Sequence, residues 1–227
     1  SEMVVASGKI KSSAELAKRL YETIEKHAAE ILNRDATQFL LDQVRQKHPV
    51  VVEGIMNHKV SLADVQQTLQ LLLREQLPVR QMTLILEALG DVADLEKNPV
   101  LRAEFVRRRM ARTITDRNKG VDGELSVIQL DSELTETIRH ALQYTPQGFS
   151  LHVSSALIDE IDEQLLPLLS ESPTDRLILL VASDIRPAVR HITQCRPGLT
   201  VLGFDEIVQG TPIQTKAFLE EPVLSAR

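Results

Sequence analysis

The chain has 227 residues, 26 Lys and Arg against 32 Asp and Glu for a net charge of -6, and few aromatics: five Phe, two Tyr and no Trp. That length and a hydrophobic share of 43% fit one or two globular domains, and the longest apolar runs, 71–73 and 177–182, are far too short to span a bilayer. The lone Cys195 excludes an internal disulfide framework and a Cys-rich zinc site, residues 1–10 lack the order of a signal segment, and a reducing, cytoplasmic setting is expected.

The first half has helical period. Ser12 and Glu15 have capping-box spacing, and Leu16, Leu20, Ile24, Ala28 and Ile31 then recur at helical intervals, which predicts one long helix over about 13–32. Asp35 can cap a second helix carrying Phe39, Leu40 and Val44, stopping before Pro49. Ser61 and Asp64 form another cap pair ahead of Leu62, Val65, Leu69, Leu72 and Leu73, with Pro78 ending that helix. Arg80 directly follows the break and is expected to bond the free carbonyls there, or else to be a solvated side chain. Met82, Ile85, Leu86 and Leu89 mark the next helix. Asn98 and Pro99 then start a helix over about 99–114 that buries Leu101, Phe105, Met110 and Ile114.

The second half changes both period and charge. Residues 1–120 carry 19 basic and 16 acidic groups, whereas 121–227 carry 7 and 16. Strands are predicted over 125–130, 177–182, 199–204 and 212–219, and helices over 132–143 and 154–169, with Pro167 kinking or ending the latter. Asp184 is read as the cap of a further helix that has Pro187 in its first turn. The expected fold is α+β in several subdomains: an N-terminal helical subdomain, then a small α/β subdomain with a short mixed sheet. The boundary is placed in residues 115–124, where Asn118, Gly120, Asp122 and Gly123 cluster without apolar period.

Chemistry is mostly absent from the sequence. The six His (27, 48, 58, 140, 152, 191) form no metal-binding pair, and there is no nucleophile elbow, phosphate-cradling Gly loop or dinucleotide fingerprint, so no catalytic, metal or cofactor site is expected. Asp159, Glu160, Asp162 and Glu163 could be metal ligands or an acidic partner surface, but interleaved Ile158 and Ile161 give them the pattern of a solvated helix face. Arg102, Arg107, Arg108, Arg109 and Arg112 are the sharpest electrostatic feature. On a helix they are expected to form an exposed positive stripe for a protein contact; nucleic acid and a merely solvated face are the alternatives. The shortage of aromatics argues against single-strand nucleic acid.

Several segments in order resemble a known family. Residues 27–34 (HAAEILNR), 38–42 (QFLLD) and 49–53 (PVVVE), then 68–75, 77–80 and 85–89, are similar to the cytoplasmic region of the type III secretion export-gate family (FlhA in flagella, SctV or InvA in injectisomes). So are Val106 with Arg107 and residues 112–114, 127–131 (VIQLD), 179–181, 185–187 and 201–207. Gln81, Gly203, Asn33 and the pair Lys18 and Arg19 depart from the family's usual residues.

The resemblance implies a cytoplasmic fragment: 1–44 from the end of the first subdomain, 45–119 the helical third subdomain and 120–227 the α/β fourth. It also implies a non-enzymatic, nine-membered ring at the cytoplasmic face of the bacterial inner membrane, with its parent anchored in that membrane. Such a ring receives export chaperones with their substrates, binds the coiled-coil stalk protein of the ATPase complex and other export components, and passes substrates to the gate. Within it, the Arg102 to Arg112 helix becomes a ring contact and the acidic surface a steering face. Leu20, Tyr21 and Ile24 become a docking strip, the alternative being ordinary core. The 127–131 and 185–187 segments lean flagellar over injectisome.

Overall fold

The computed structural model describes residues 13–57, 60–171, 177–194, 196 and 198–221. Seven helices come first: α1 (Ser13–Ile31), α2 (Arg34–Lys47), α3 (Pro49–Asn57), α4 (Leu62–Arg74), α5 (Met82–Ala93), α6 (Pro99–Arg109) and α7 (Ala111–Asn118). Ser12, the expected cap of α1, lies outside the described residues. Asn33, not Asp35, caps α2: its side chain accepts from the Ala36 N–H at 2.8 Å. α2 stops before Pro49 as expected, and α3 starts at once, because proline suits a first helical turn and only obstructs a preceding one.

The expected box at α4 is present. Asp64 N–H donates to Ser61 Oγ, and Ser61 N–H to Asp64 Oδ2. Its far end is built differently from expectation. The helix stops at Arg74, four residues before Pro78, and Gln76 takes a left-handed φ of 57°. Gln76 N–H then donates to Leu73 O and Leu77 N–H to Leu72 O, which makes a Schellman turn. The carbonyls reserved for Arg80 are thereby taken by backbone, and Arg80 is exposed. The predicted 99–114 helix is two helices, with Met110 as the joint between α6 and α7.

Four strands, β1 (Leu125–Leu130), β4 (Leu177–Val181), β5 (Leu199–Gly203) and β6 (Ile213–Leu219), pair in the order β5-β4-β1-β6, and every pairing is parallel. A separate antiparallel hairpin, β2 (Leu142–Thr145) with β3 (Gly148–Leu151), follows α8 (Ser132–Ala141) and precedes α9 (Ser155–Glu171). The two strand directions thus fall in two sheets instead of one mixed sheet. Pro167 sits inside α9, which continues to Glu171. Asp184 does not cap α10 (Arg186–Ile192); its carboxylate accepts from Arg139 instead.

Alternation along the strands decides what covers the sheet. Leu125, Val127, Ile178, Leu180 and Leu202 face the helical part and join a cluster with Leu69, Leu72, Leu77, Ile85, Leu89 and Val106. Ile128, Leu177, Leu179, Val181 and Val201 face the other way, against Leu134 and Ile138 of α8, Ile161 and Leu165 of α9, and Val189 of α10. All of β4 is buried between the two layers, which explains its continuous apolar run. Apolar packing therefore runs across the 115–124 segment from the α4–α6 helices onto the sheet.

Candidate partner-docking surface

The five arginines do not form one exposed stripe. Arg102 and Arg107 are buried, whereas Arg108, Arg109 and Arg112 are exposed. The phase of the helix explains the correction. The large residues Leu101 and Phe105 suggest one inward face, but they are only partly buried; the fully buried face of α6 runs through Ala103, Val106 and Met110, and that rotation carries Arg102 and Arg107 inward.

Buried guanidinium groups must be paired and hydrogen-bonded. Arg102 donates from Nη1 to Asp64 Oδ1 (2.8 Å), from Nε to Glu96 O (2.7 Å) and from Nη2 to Ala93 O (3.1 Å). One side chain thus joins the start of α4 to the end of α5. Arg107 donates from Nη1 to Glu75 Oε2 (2.9 Å) and from Nη2 to Glu206 Oε2 (3.0 Å), with its Nε on Glu206 Oε1.

A second buried arginine, Arg186 at the start of α10, shares this hub. Its Nη1 and Nη2 donate to Glu75 Oε2 (2.8 Å) and Oε1 (2.9 Å), and Nε donates to Glu104 Oε2 (2.5 Å), with Nη2 also on Glu104 Oε1. The Schellman turn places Glu75 at the end of α4 between the two guanidinium groups. Glu206 is anchored from both parts: the Gly203 N–H at the end of β5 donates to its Oε2 at 2.9 Å, and Thr115 Oγ1 of α7 donates to its backbone oxygen at 3.1 Å. Burial pushes the Glu75 carboxyl up, but Arg107 and Arg186 outweigh it and hold that pKa at about 2. At Glu104 burial wins over Arg186, with the Glu206 charge adding to it, and the pKa is raised.

The hub has no open catalytic position: each of its carboxylates is consumed by an arginine. Among the described residues no group of His, Cys, Asp and Glu could hold a metal ion. Its role is to fix the helical part against the sheet. Sequence reading missed Glu75, Glu104 and Glu206 as partners because they lie 32, 82 and 99 positions from the arginines that bind them. The only sequence signal was the spacing of Arg107 four residues after the small Ala103 on the same helix face.

On the surface, Arg108 lies 5.3 Å from the centre of the Phe105 ring and 3.6 Å from Asp205, and Arg109 lies 3.6 Å from Asp91. Leu20, Tyr21 and Ile24 are not core: they are 58%, 67% and 49% exposed, and Leu16 and Ile31 continue the same open strip. In the acidic run, Asp159 and Glu163 are exposed, Glu160 is half-buried and Asp162 accepts from Arg196 Nε at 2.7 Å. No helix among the described residues is long and apolar enough to cross a membrane.

Residues 5–212 match the FHIPEP family. The flagellar biosynthesis protein FlhA of Escherichia coli K12 is 31% identical over 211 residues, 92% of this chain and 30% of that protein. The protein MxiA of Shigella flexneri is 30% identical over 203 residues, 88% of this chain and 29% of that protein. The chain thus spans less than a third of either relative. Among solved structures, Shigella flexneri MxiA superposes with a TM-score of 0.81 at 26% identity, covering 90% of this chain and 67% of that one. The Chlamydia pneumoniae CdsV protein gives 0.84 at 24%, covering 90% and 59%, and has also been solved in complex with CdsO. The nonameric EPEC SctV-C gives 0.79 at 24%, covering 90% and 62%. Because the family match takes in the helices and the strands β1, β4 and β5 that Arg107 and Arg186 join to them, the chain belongs to the FHIPEP family.

Proposed function

We propose that this chain is part of the cytoplasmic docking and ring module of a type III protein export gate, of flagellar type. In this reading the parent protein is anchored in the bacterial inner membrane, receives export chaperones with their substrates, engages the stalk protein of the ATPase complex and passes substrates to the gate. The observation that carries it is the family match over both parts of the chain. Two properties of relatives support the assembly and the partner: SctV-C is nonameric, and CdsV forms a complex with CdsO. Arg108, Arg109 and Arg112 are then the charges left to contact a neighbouring subunit, since Arg102 and Arg107 are spent inside. Leu20, Tyr21 and Ile24 supply an apolar docking strip, and Asp159 and Glu163 an acidic steering face.

An injectisome gate is the second reading, favoured by an identity to MxiA of 30% that matches the identity to flagellar relatives. A nucleic-acid adaptor is less well supported, because only three of the five arginines are exposed. The test is co-purification of the parent's complete cytoplasmic region with the flagellar chaperones and stalk protein of its own bacterium. Retention of both is expected. If neither is retained, the docking mechanism is wrong; capture of injectisome partners instead selects the second reading.

A further inference from the structure

A cavity of about 460 Å³ opens where the ends of α4, α7 and α10 meet α1. Arg74, Arg117 and Arg190 stand in the last turns of those three helices, and Lys26 of α1 lines the same space. A helix end attracts cations, but it offers only about half a negative charge, so the helix dipoles do not balance the side chains placed on them. The cavity's only carboxylate is Glu75, which is already bonded to Arg107 and Arg186, with Arg190 at 3.9 Å. Arg107 is spent on Glu75 and Glu206, and Arg196, also on the wall, is held by Asp162. The side chains of Lys26, Arg74 and Arg117 have no partner among the described residues. A chain with 32 acidic and 26 basic residues thus lines one concavity with unmatched cations, whose mutual repulsion a bound anion relieves.

The walls say what kind of anion. The β5 side is closed to backbone pairing: Leu199, Val201 and Leu202 are buried, and Arg186 Nη1 donates to Val201 O at 3.4 Å. Recognition therefore falls to side chains, and the exposed amides of Gln76 and Gln194 add neutral donors to the cations. Guanidinium forks fit the oxygens of carboxylate and phosphate alike. A peptide, however, brings one charge per acidic side chain and must be ordered to present several. Two linked phosphates bring about as much charge as Lys26, Arg74 and Arg117 together, in one compact group.

We propose that this cavity binds a small molecule bearing linked phosphates. Its oxygens are held by Lys26, Arg74, Arg117 and Arg190, with Gln76 and Gln194 donating beside them. Lys26, Arg74 and Arg117 belong to the helical part and Arg190 and Gln194 to the α/β part, so the bound anion ties the two together. The assignment rests on this chain's geometry alone and stands or falls separately from the export reading.

The 227-residue chain is titrated with pyrophosphate by calorimetry at low and high salt. One site per chain is expected, weakening as salt rises and raising the Tm, with orthophosphate and hexaglutamate each about tenfold weaker or more. The double variant Arg74→Gln, Arg117→Gln weakens pyrophosphate roughly tenfold with its unfolding midpoint unchanged. Arg80→Gln with Arg112→Gln, which removes two exposed cations outside the cavity, leaves binding as it was. Absence of saturable binding, binding unchanged in the cavity variant, or an equal loss in both double variants overturns the proposal. So does displacement of pyrophosphate by hexaglutamate or by phosphatidylglycerol vesicles at equal charge, which would assign the cavity to an acidic protein segment or a membrane surface.

Discussion

Arg186 and Glu75 stand 111 positions apart and meet through two parallel hydrogen bonds of 2.8 and 2.9 Å. This pair joins the end of the fourth helix to the start of the tenth, so the helical part and the sheet are held in one orientation by charge geometry as well as by apolar packing. Arg107 and Arg186 together face three carboxylates, and removing one guanidinium leaves charge buried without a partner. Arg186→Ala is expected to destabilise the chain by about 3–5 kcal/mol in urea unfolding. Arg108→Ala and Arg109→Ala, which lose exposed pairs, should each change stability by less than about 1 kcal/mol.

The same hub sets a response to acid. Glu75 is held at about 2, below its ordinary 4.5, so its stabilisation is complete above the ordinary value and is lost as pH falls through 4.5 towards 2. Glu104 is raised, so its contribution has the opposite slope: it is present below the ordinary range and lost as pH rises through the folded value. Urea unfolding across pH should show Glu75→Gln flattening the acid limb by about 3 kcal/mol, and Glu104→Gln making it steeper.

Gln76 takes the left-handed position of the Schellman turn that presents Glu75. A side chain in that region carries strain that glycine lacks, partly offset by glycine's greater freedom when unfolded. Gln76→Gly should therefore stabilise the chain by about 0.5–1 kcal/mol, read as a higher Tm.

Asn98 works in two directions. Its Oδ1 accepts from the N–H groups of Val100 and Leu101, and its Nδ2 donates to Thr145 O and Gly148 O at 2.6 Å each. Asn98→Ala loses the cap and the hairpin tie, for about 2–3 kcal/mol. Asn98→Asp keeps the cap but cannot donate, so hydrogen exchange at the β2–β3 hairpin should rise while the start of α6 stays protected.

Local chemistry made much of the fold legible. The Ser61 and Asp64 box, the Asn98 cap with Pro99, and the apolar run of β4 are signals carried within a few residues, and each appears where its spacing places it. Helix phase was less legible: Leu101 and Phe105 outweigh Ala103 and Val106 in any apolar count, yet the smaller residues face the core because α6 packs closely on α4 and α5. The burial of Arg107 depends on Glu75 and Glu206, which lie 32 and 99 positions away along the chain. The open strip at Leu20, Tyr21 and Ile24 has a periodicity identical to that of core, so exposure could only be seen in three dimensions.

The central claim, that this chain serves a type III export gate, is tested most directly by measuring export from cells of the source bacterium after deleting the coding segment for residues 1–227 from the parent gene. Export of substrates is predicted to stop and to return with the intact segment. Restoration with Arg108→Glu, Arg109→Glu and Arg112→Glu together should leave the protein at normal abundance but lower export by roughly tenfold or more, since like charges across an interface oppose assembly. Undiminished secretion through both flagellar and injectisome routes after the deletion would contradict the account.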